Sequence, residues 1–182
     1  APYRASERFD SKFIDGYWPE AKPVHRFSDG FSETKITTTR RRYDEYIASL
    51  DWEFGKLMDG WEAEGVFENS YVIITSDHGE LFERGEARHT TPLLYDPVVH
   101  IPLLISAPGQ KTRSDVYSPT NAVDVLPTLM KLTGKSIPSQ TEGQLLPGFG
   151  GVDDFERSTF TVEAKRNPAL APLKKATIAM RK

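Results

Sequence analysis

Between Thr39 and Glu64 the apolar residues Tyr43, Tyr46, Ile47, Leu50, Phe54, Leu57, Met58 and Trp61 return at intervals of three and four. This spacing places them on one face of a helix, with Asp44, Glu45, Asp51, Glu53 and Lys56 largely on the other. Gly65 stands where a C-terminal cap falls, and the apolar stripe predicts packing against a sheet. The period then changes. Tyr71-Val72-Ile73-Ile74-Thr75 is an unbroken, largely β-branched run, which predicts a strand covered on both faces in a parallel sheet sandwiched by helices. A second run, His100 to Ile105, is closed by Ser106-Ala107-Pro108-Gly109; Pro102 removes a ladder donor and so belongs near the strand's start or at an edge. Further on, Asp124 is the expected N-cap of a short helix carrying Leu126, Leu129, Met130 and Leu132, with Pro127 in its first turn and Gly134 closing it.

The flanks are less regular. Residues 1–38 scatter Tyr3, Phe9, Phe13, Tyr17, Trp18, Phe27 and Phe31 among Pro, Gly, Ser and Asp, which predicts an irregular segment pinned by its rings. Ser, Pro and Gly punctuate residues 135–152, and Thr159 to Val162 and Ala176 to Met180 read as short strands. The expected organisation is an aromatic-rich segment over 1–38, an α/β core over 39–150 and short strands over 151–182.

Composition changes this picture mainly by exclusion. At 182 residues with 38% hydrophobic and 27% charged positions, the chain can bury a sizeable core. A net charge of -3 leaves no electrostatic footprint for nucleic acid, and Arg40 to Arg42 is too short to act as a basic tail. No run is long and apolar enough to span a bilayer. The absence of cysteine removes disulfides, thiolate metal sites and a Cys nucleophile from these residues.

The candidate chemistry starts where the first strand breaks, at Ser76-Asp77-His78-Gly79-Glu80. In open α/β sheets the ligand crevice lies beyond the carboxyl ends of the strands. Asp77 offers an anionic oxygen and His78 an imidazole nitrogen, a pair suited to Zn²⁺ or Mn²⁺ and acceptable to Ca²⁺ if other oxygens dominate. Gly79 permits the turn, and Glu80 is placed to orient His78. An ordinary Asp-Gly turn after a strand is the competing interpretation. His89 lies in the polar loop Gly85 to Pro92 leaving the same strand end, where it either serves an anion or a leaving oxygen or is simply solvated. Arg84 and Arg88 are candidate anion-binding groups, against the commoner fate of loop arginines in water. His100 reads as structural, and His25 carries no signal.

Taken together, Tyr43-Asp44-Glu45-Tyr46-Ile47, the segment Tyr71 to Glu80, Leu94-Tyr95-Asp96-Pro97 through Ile105, and Asp124-Val125-Leu126-Pro127-Thr128-Leu129 with Gly134 and Gly143 resemble the sulfatases of the alkaline-phosphatase superfamily, in family order over about residues 40 to 150. The resemblance implies a mostly parallel α/β sheet flanked by helices. It also implies a Ca²⁺-type divalent site with Asp77 and His78 as the later ligand pair, and His89 as the histidine contacting the sulfate or leaving oxygen. Ala1-Pro2-Tyr3 is similar to the tail of the family's His-x-Pro-Tyr segment. The substrates implied are small-molecule or glycan sulfate esters.

Sulfatases use a formylglycine made in a (Cys or Ser)-x-Pro-x-Arg motif, whose hydrated aldehyde attacks sulfur while the metal neutralises charge. That motif is absent here. Ser136-Ile137-Pro138-Ser139-Gln140 imitates its opening but lacks the Arg and lies after the metal strand. The family's early acidic ligands are missing as well. The expectation is therefore a C-terminal part of a catalytic domain, inactive alone, with a sheet edge open to pairing with a second copy. A phosphodiesterase or phosphonate monoester hydrolase of the same superfamily, or a non-catalytic module keeping the fold, is the alternative.

Overall fold

A computed structural model describes residues 3–14, 16–89, 92–163 and 176–182. Ala1-Pro2 of the His-x-Pro-Tyr-like segment and Thr90-Thr91 of the His89 loop lie outside the described residues. The chain divides into two compact units, 1–111 and 112–182. The sequence boundary expected at residue 150 falls inside the second.

The first unit is organised by helix α1, Glu33–Ala63. It begins six residues before Thr39, where the sequence pattern places its start. Ser32 caps it by accepting from the Lys35 N–H, and the Thr38 and Thr39 hydroxyls donate back to the Thr34 and Lys35 carbonyls. The early turns bury Ile36 and Thr37, a single apolar residue among threonines that leaves no periodic signal. At the other end Gly65 takes φ 72°, and its N–H reaches the Glu62 carbonyl at 3.0 Å. Among the described residues the helix packs mainly on the 3₁₀ turn Glu7–Phe9 and on the short helix that follows α1, rather than on a strand. Tyr43 of the stripe packs on the N-terminal segment, its ring 5.1 Å from that of Tyr3 between centroids; Trp52, on the helix but outside the stripe, meets Phe9 at 6.4 Å, and Trp61 meets Phe67 of α2, Val66–Asn69. Ile47, Leu50 and Leu57 remain exposed.

Strands β1, Val72–Thr75, and β2, Leu103–Ser106, pair antiparallel with Val72 opposite Ser106 and Thr75 opposite Leu103. This corrects the parallel pairing expected of these two runs. A parallel neighbour needs a long crossover, usually a helix, whereas residues 76–102 contain only the one-turn helix α3, Asp96–Val99, and the chain folds straight back. Neither strand is sealed on both faces, since Thr75 and Leu104 are exposed. Pro102 does sit immediately before β2, where its carbonyl accepts from the Thr75 hydroxyl at 2.9 Å. His100 ends α3 and is exposed, so it opens no strand. Leu81, Leu93 and Val98 form the local core beneath the loop that follows β1, with Tyr95 and Val99 against them.

In the second unit α4, Val125–Leu132, is preceded by a 3₁₀ turn, Ala122–Asp124. Asp124 occupies the N-cap position of α4, as expected, but its side chain makes no cap bond there; the capping box belongs to the 3₁₀ turn, with Asn121 as its N-cap. The Asn121 side chain accepts from the Val123 N–H while Asp124 accepts from the Asn121 N–H. Asp124 is free for that role because it is fully buried and ion-paired with Arg157, whose two terminal nitrogens reach it at 2.6 and 2.9 Å. Strands β3, Thr159–Glu163, and β4, Thr177–Arg181, pair antiparallel close to the expected positions.

Candidate functional site

The turn after β1 is set by the backbone. The Gly79 N–H donates to the Val98 carbonyl at 2.8 Å, and a Cβ on Gly79 would stand 2.0 Å from the Pro97 carbonyl oxygen. Only glycine lets the turn seat against α3, so the need here is close approach. The Ser76 hydroxyl donates to the His78 carbonyl at 2.6 Å, and Asp77 Oδ1 accepts from the His78 N–H at 3.0 Å.

These bonds bring Asp77 and His78 to one point. His78 Nδ1 lies 2.9 Å from the Gly79 carbonyl, which can only accept, so Nδ1 carries the proton and Nε2 keeps its lone pair. That Nε2 stands 3.6 Å from Asp77 Oδ2, with the Asp77 side chain 86% and the His78 side chain 41% exposed. Two donors bound to one cation at about 2.0 to 2.6 Å each are separated by roughly this distance. The chemistry of the pair therefore fits half of a divalent-cation site, with the Gly79 carbonyl holding the imidazole from behind. Among the described residues no group of three or more His, Cys, Asp or Glu side chains is arranged to hold a metal.

His89 joins this pair in space, its ring stacked on that of His78 with centroids 3.9 Å apart. Glu80 does not orient His78, as the sequence led us to expect. Its Oε2 lies 3.1 Å from His89 Nδ1 and also accepts from the Tyr3 hydroxyl, while Oε1 is buried without a partner among the described residues. His78 is already satisfied by Gly79, and Glu80 points across the turn to the returning loop. Burial, and then the hydrogen bond to Glu80, pushes the Tyr3 phenol well above its ordinary pKa. Burial raises Tyr43 as well, and the Glu80 charge adds to it.

Arg84 and Arg88, the candidate anion-binding groups, are both ion-paired in the structure. The Arg84 Nε lies 3.2 Å from Glu83 and its guanidinium 4.4 Å from the centre of the Tyr95 ring; Arg88 pairs with Asp29 and stands 3.6 Å from buried Glu86. Each arginine has carboxylate partners, Glu83 for Arg84 and both Asp29 and Glu86 for Arg88. Tyr3 is the residue that sequence reasoning undervalued. It is separated from Glu80 by 77 positions, and its only signal was its place in the family-like opening segment.

The chain is similar to known proteins along much of its length. The sulfatase family model matches residues 2–135. The chain is 29% identical over 136 residues to the ulvan-active sulfatase of Formosa agariphila, covering 73% of this chain and 27% of that protein. It is 32% identical over 118 residues to arylsulfatase K of Bos taurus, covering 64% and 22%. Among solved structures it resembles the phosphonate monoester hydrolase SpPMH from Silicibacter pomeroyi, with a TM-score of 0.70 and 26% identity over 82% of this chain and 32% of that one. The chain thus spans about a quarter of the length of the curated relatives it matches, and its helices and strands form part of the α/β fold of the alkaline-phosphatase superfamily. It belongs to the sulfatase family.

Proposed function

We propose that this chain contributes the Asp77–His78 half of a divalent-cation site, and His89, to a metal-dependent sulfuric ester hydrolase. The observation that carries the proposal is the lone pair of His78 Nε2 facing the Asp77 carboxylate at 3.6 Å in solvent. A nitrogen lone pair and a carboxylate oxygen at this separation can share one divalent cation. Ca²⁺ is the ion that family membership favours, with Mn²⁺ or Zn²⁺ compatible with the donors. When bound, the ion would draw charge from the sulfuryl oxygens, and a formylglycine outside this chain would supply the nucleophile. Within the chain, Asp77 and His78 hold their side of the ion, while His89 hydrogen-bonds the sulfate or hands a proton to the departing alcohol oxygen.

Calorimetry with Ca²⁺ tests the site directly. The full-length protein is expected to bind one ion, and Asp77→Ala or His78→Ala to weaken binding at least about 10-fold, with kcat/KM on an aryl sulfate falling in parallel. The 182-residue chain alone is expected to bind weakly, having two donors. Unchanged affinity in either variant, or tight one-to-one binding by the chain alone, overturns the proposal.

The structural likeness to SpPMH favours a second activity, hydrolysis of phosphonate monoesters or phosphodiesters. Cation and anion-binding groups serve phosphorus as well as sulfur, so the ratio of kcat/KM for an aryl sulfate and an aryl phosphonate monoester decides between them. Turnover of neither by the metal-loaded full-length protein supports a non-catalytic module.

A further inference from the structure

The inference concerns Glu80, and it builds on the role given above to His89. Glu80 has a side chain only 7% exposed, in contact with two groups from distant parts of the chain. Its Oε2 accepts from the Tyr3 hydroxyl, and the same oxygen lies 3.1 Å from His89 Nδ1. Tyr3 in turn is wedged among rings, with Tyr43 at 5.1 Å and Phe82 at 6.4 Å between centroids, so the hydroxyl reaches Glu80 from a fixed direction. A carboxylate can only accept, which leaves the Nδ1–H tautomer for His89 and frees Nε2 for other work. The ring is held from its face as well, stacked at 3.9 Å on His78. The three contacts constrain tautomer, ring plane and position.

We propose that Glu80, braced by Tyr3, is the positioning residue of His89, fixing its ring beside Asp77 and His78 with Nε2 presented to the ester. Glu80 touches neither ester nor cation. It acts through the imidazole, as a buried carboxylate behind a working histidine does in other hydrolases. Tyr3 is part of the same device because, without its hydroxyl, Oε2 loses the bond that holds it between the two loops.

The test uses the metal-loaded full-length protein with Glu80→Ala, Glu80→Gln, Tyr3→Phe, His89→Ala and the Glu80→Ala/His89→Ala pair, each checked for an intact melting transition. Nitrogen-proton correlation spectra of labelled histidine side chains are expected to show His89 protonated at Nδ1 in the native protein and to lose that signature in Glu80→Ala. On an aryl sulfate, Glu80→Ala is expected to lower kcat about 10- to 100-fold with KM little changed. Tyr3→Phe is expected to lower it less, and Glu80→Gln, which keeps an acceptor oxygen, to recover part of the loss. In the His89→Ala background the Glu80→Ala change is expected to cost nothing further. An unaltered His89 tautomer in Glu80→Ala, or a Glu80→Ala loss of undiminished size without His89, overturns the proposal. Should Glu80→Ala fail to fold, Glu80→Gln and Tyr3→Phe answer the tautomer question in its place. A wild-type rate in His89→Ala would instead remove the role assigned to His89, while the tautomer spectra still decide what Glu80 does to the ring.

Discussion

Two buried carboxylates, Glu80 in the first unit and Asp124 in the second, have opposite surroundings. Asp124 has every direction filled: Oδ1 accepts from the Gln144 N–H at 2.8 Å and from Arg157 at 2.9 Å, Oδ2 from the Asn121 N–H at 2.8 Å and from Arg157 at 2.6 Å. Glu80 gathers both of its partners on one oxygen and has none among the described residues on the other. Asp124 is paired with a guanidinium that neutralises it, whereas Glu80 is met by a phenol and an imidazole. A saturated carboxylate is a structural joint, tying the 3₁₀ turn before α4 to the segments carrying Gln144 and Arg157. A half-satisfied one keeps its field for whatever sits beside it, which is the condition of a group that works through a neighbour.

The comparison is broken most forcefully at Asp124. Asp124→Ala leaves the Arg157 guanidinium buried without its counter-charge, and the expected loss is about 3–5 kcal/mol in denaturant unfolding of the second unit. Acid acts on the same joint. Burial pushes the Asp124 carboxyl up, but the bonds from Arg157, Gln144 and Asn121 outweigh it and hold its pKa below the usual carboxylate value. Because the folded pKa is the lower one, this stability is fully present above the unfolded pKa and is lost as pH falls through the folded one. Denaturation midpoints followed from pH 5 to pH 2 should therefore fall in the native protein and fall less steeply in Asp124→Asn.

Gly79→Ala comes next, since its methyl would overlap the Pro97 carbonyl and push the metal-site turn off α3. A cost of about 1–3 kcal/mol is expected by thermal or chemical unfolding, with Ca²⁺ affinity falling further than in a change of equal cost elsewhere. Glu80→Gln should be mild by contrast, about 1 kcal/mol or less, because its partners among the described residues are a phenol and an imidazole rather than a guanidinium. Parity between Glu80→Gln and Asp124→Asn in unfolding free energy would erase the distinction drawn here. The smallest effect is spectroscopic. The Tyr3 phenol ionises above the ordinary tyrosine range, first because it is buried and then because Glu80 accepts its proton. Glu80→Gln should lower that pKa part of the way, as followed by the ring-carbon shift of labelled tyrosine.

Much of this was legible before any coordinates. The α1 stripe, the Gly65 cap, the Pro102 entry to β2 and the two C-terminal strands follow from local chemistry, which a short window of residues contains. Family order among the motifs pointed to the sulfatases, and the neighbouring pair Asp77–His78 needed no distant partner to be noticed. The start of α1 was hidden because threonines that bond back to their own helix look like strand formers. Antiparallel pairing of β1 with β2 was hidden because an apolar run reveals that a strand is covered, not what pairs with it.

Local spacing thus sufficed for many of the elements and for singling out the adjacent pair Asp77–His78, because helical periods, caps and sequence neighbours all act over a few residues. The redirection of Glu80 from His78 to His89, its bracing by Tyr3, the pairing of Arg84 and Arg88 with carboxylates, and the closure of Asp124 on Arg157 came from the folded chain alone. Each is a choice among several polar partners of similar strength, and packing makes that choice by bringing one within 3 Å or so while burying the rest out of reach.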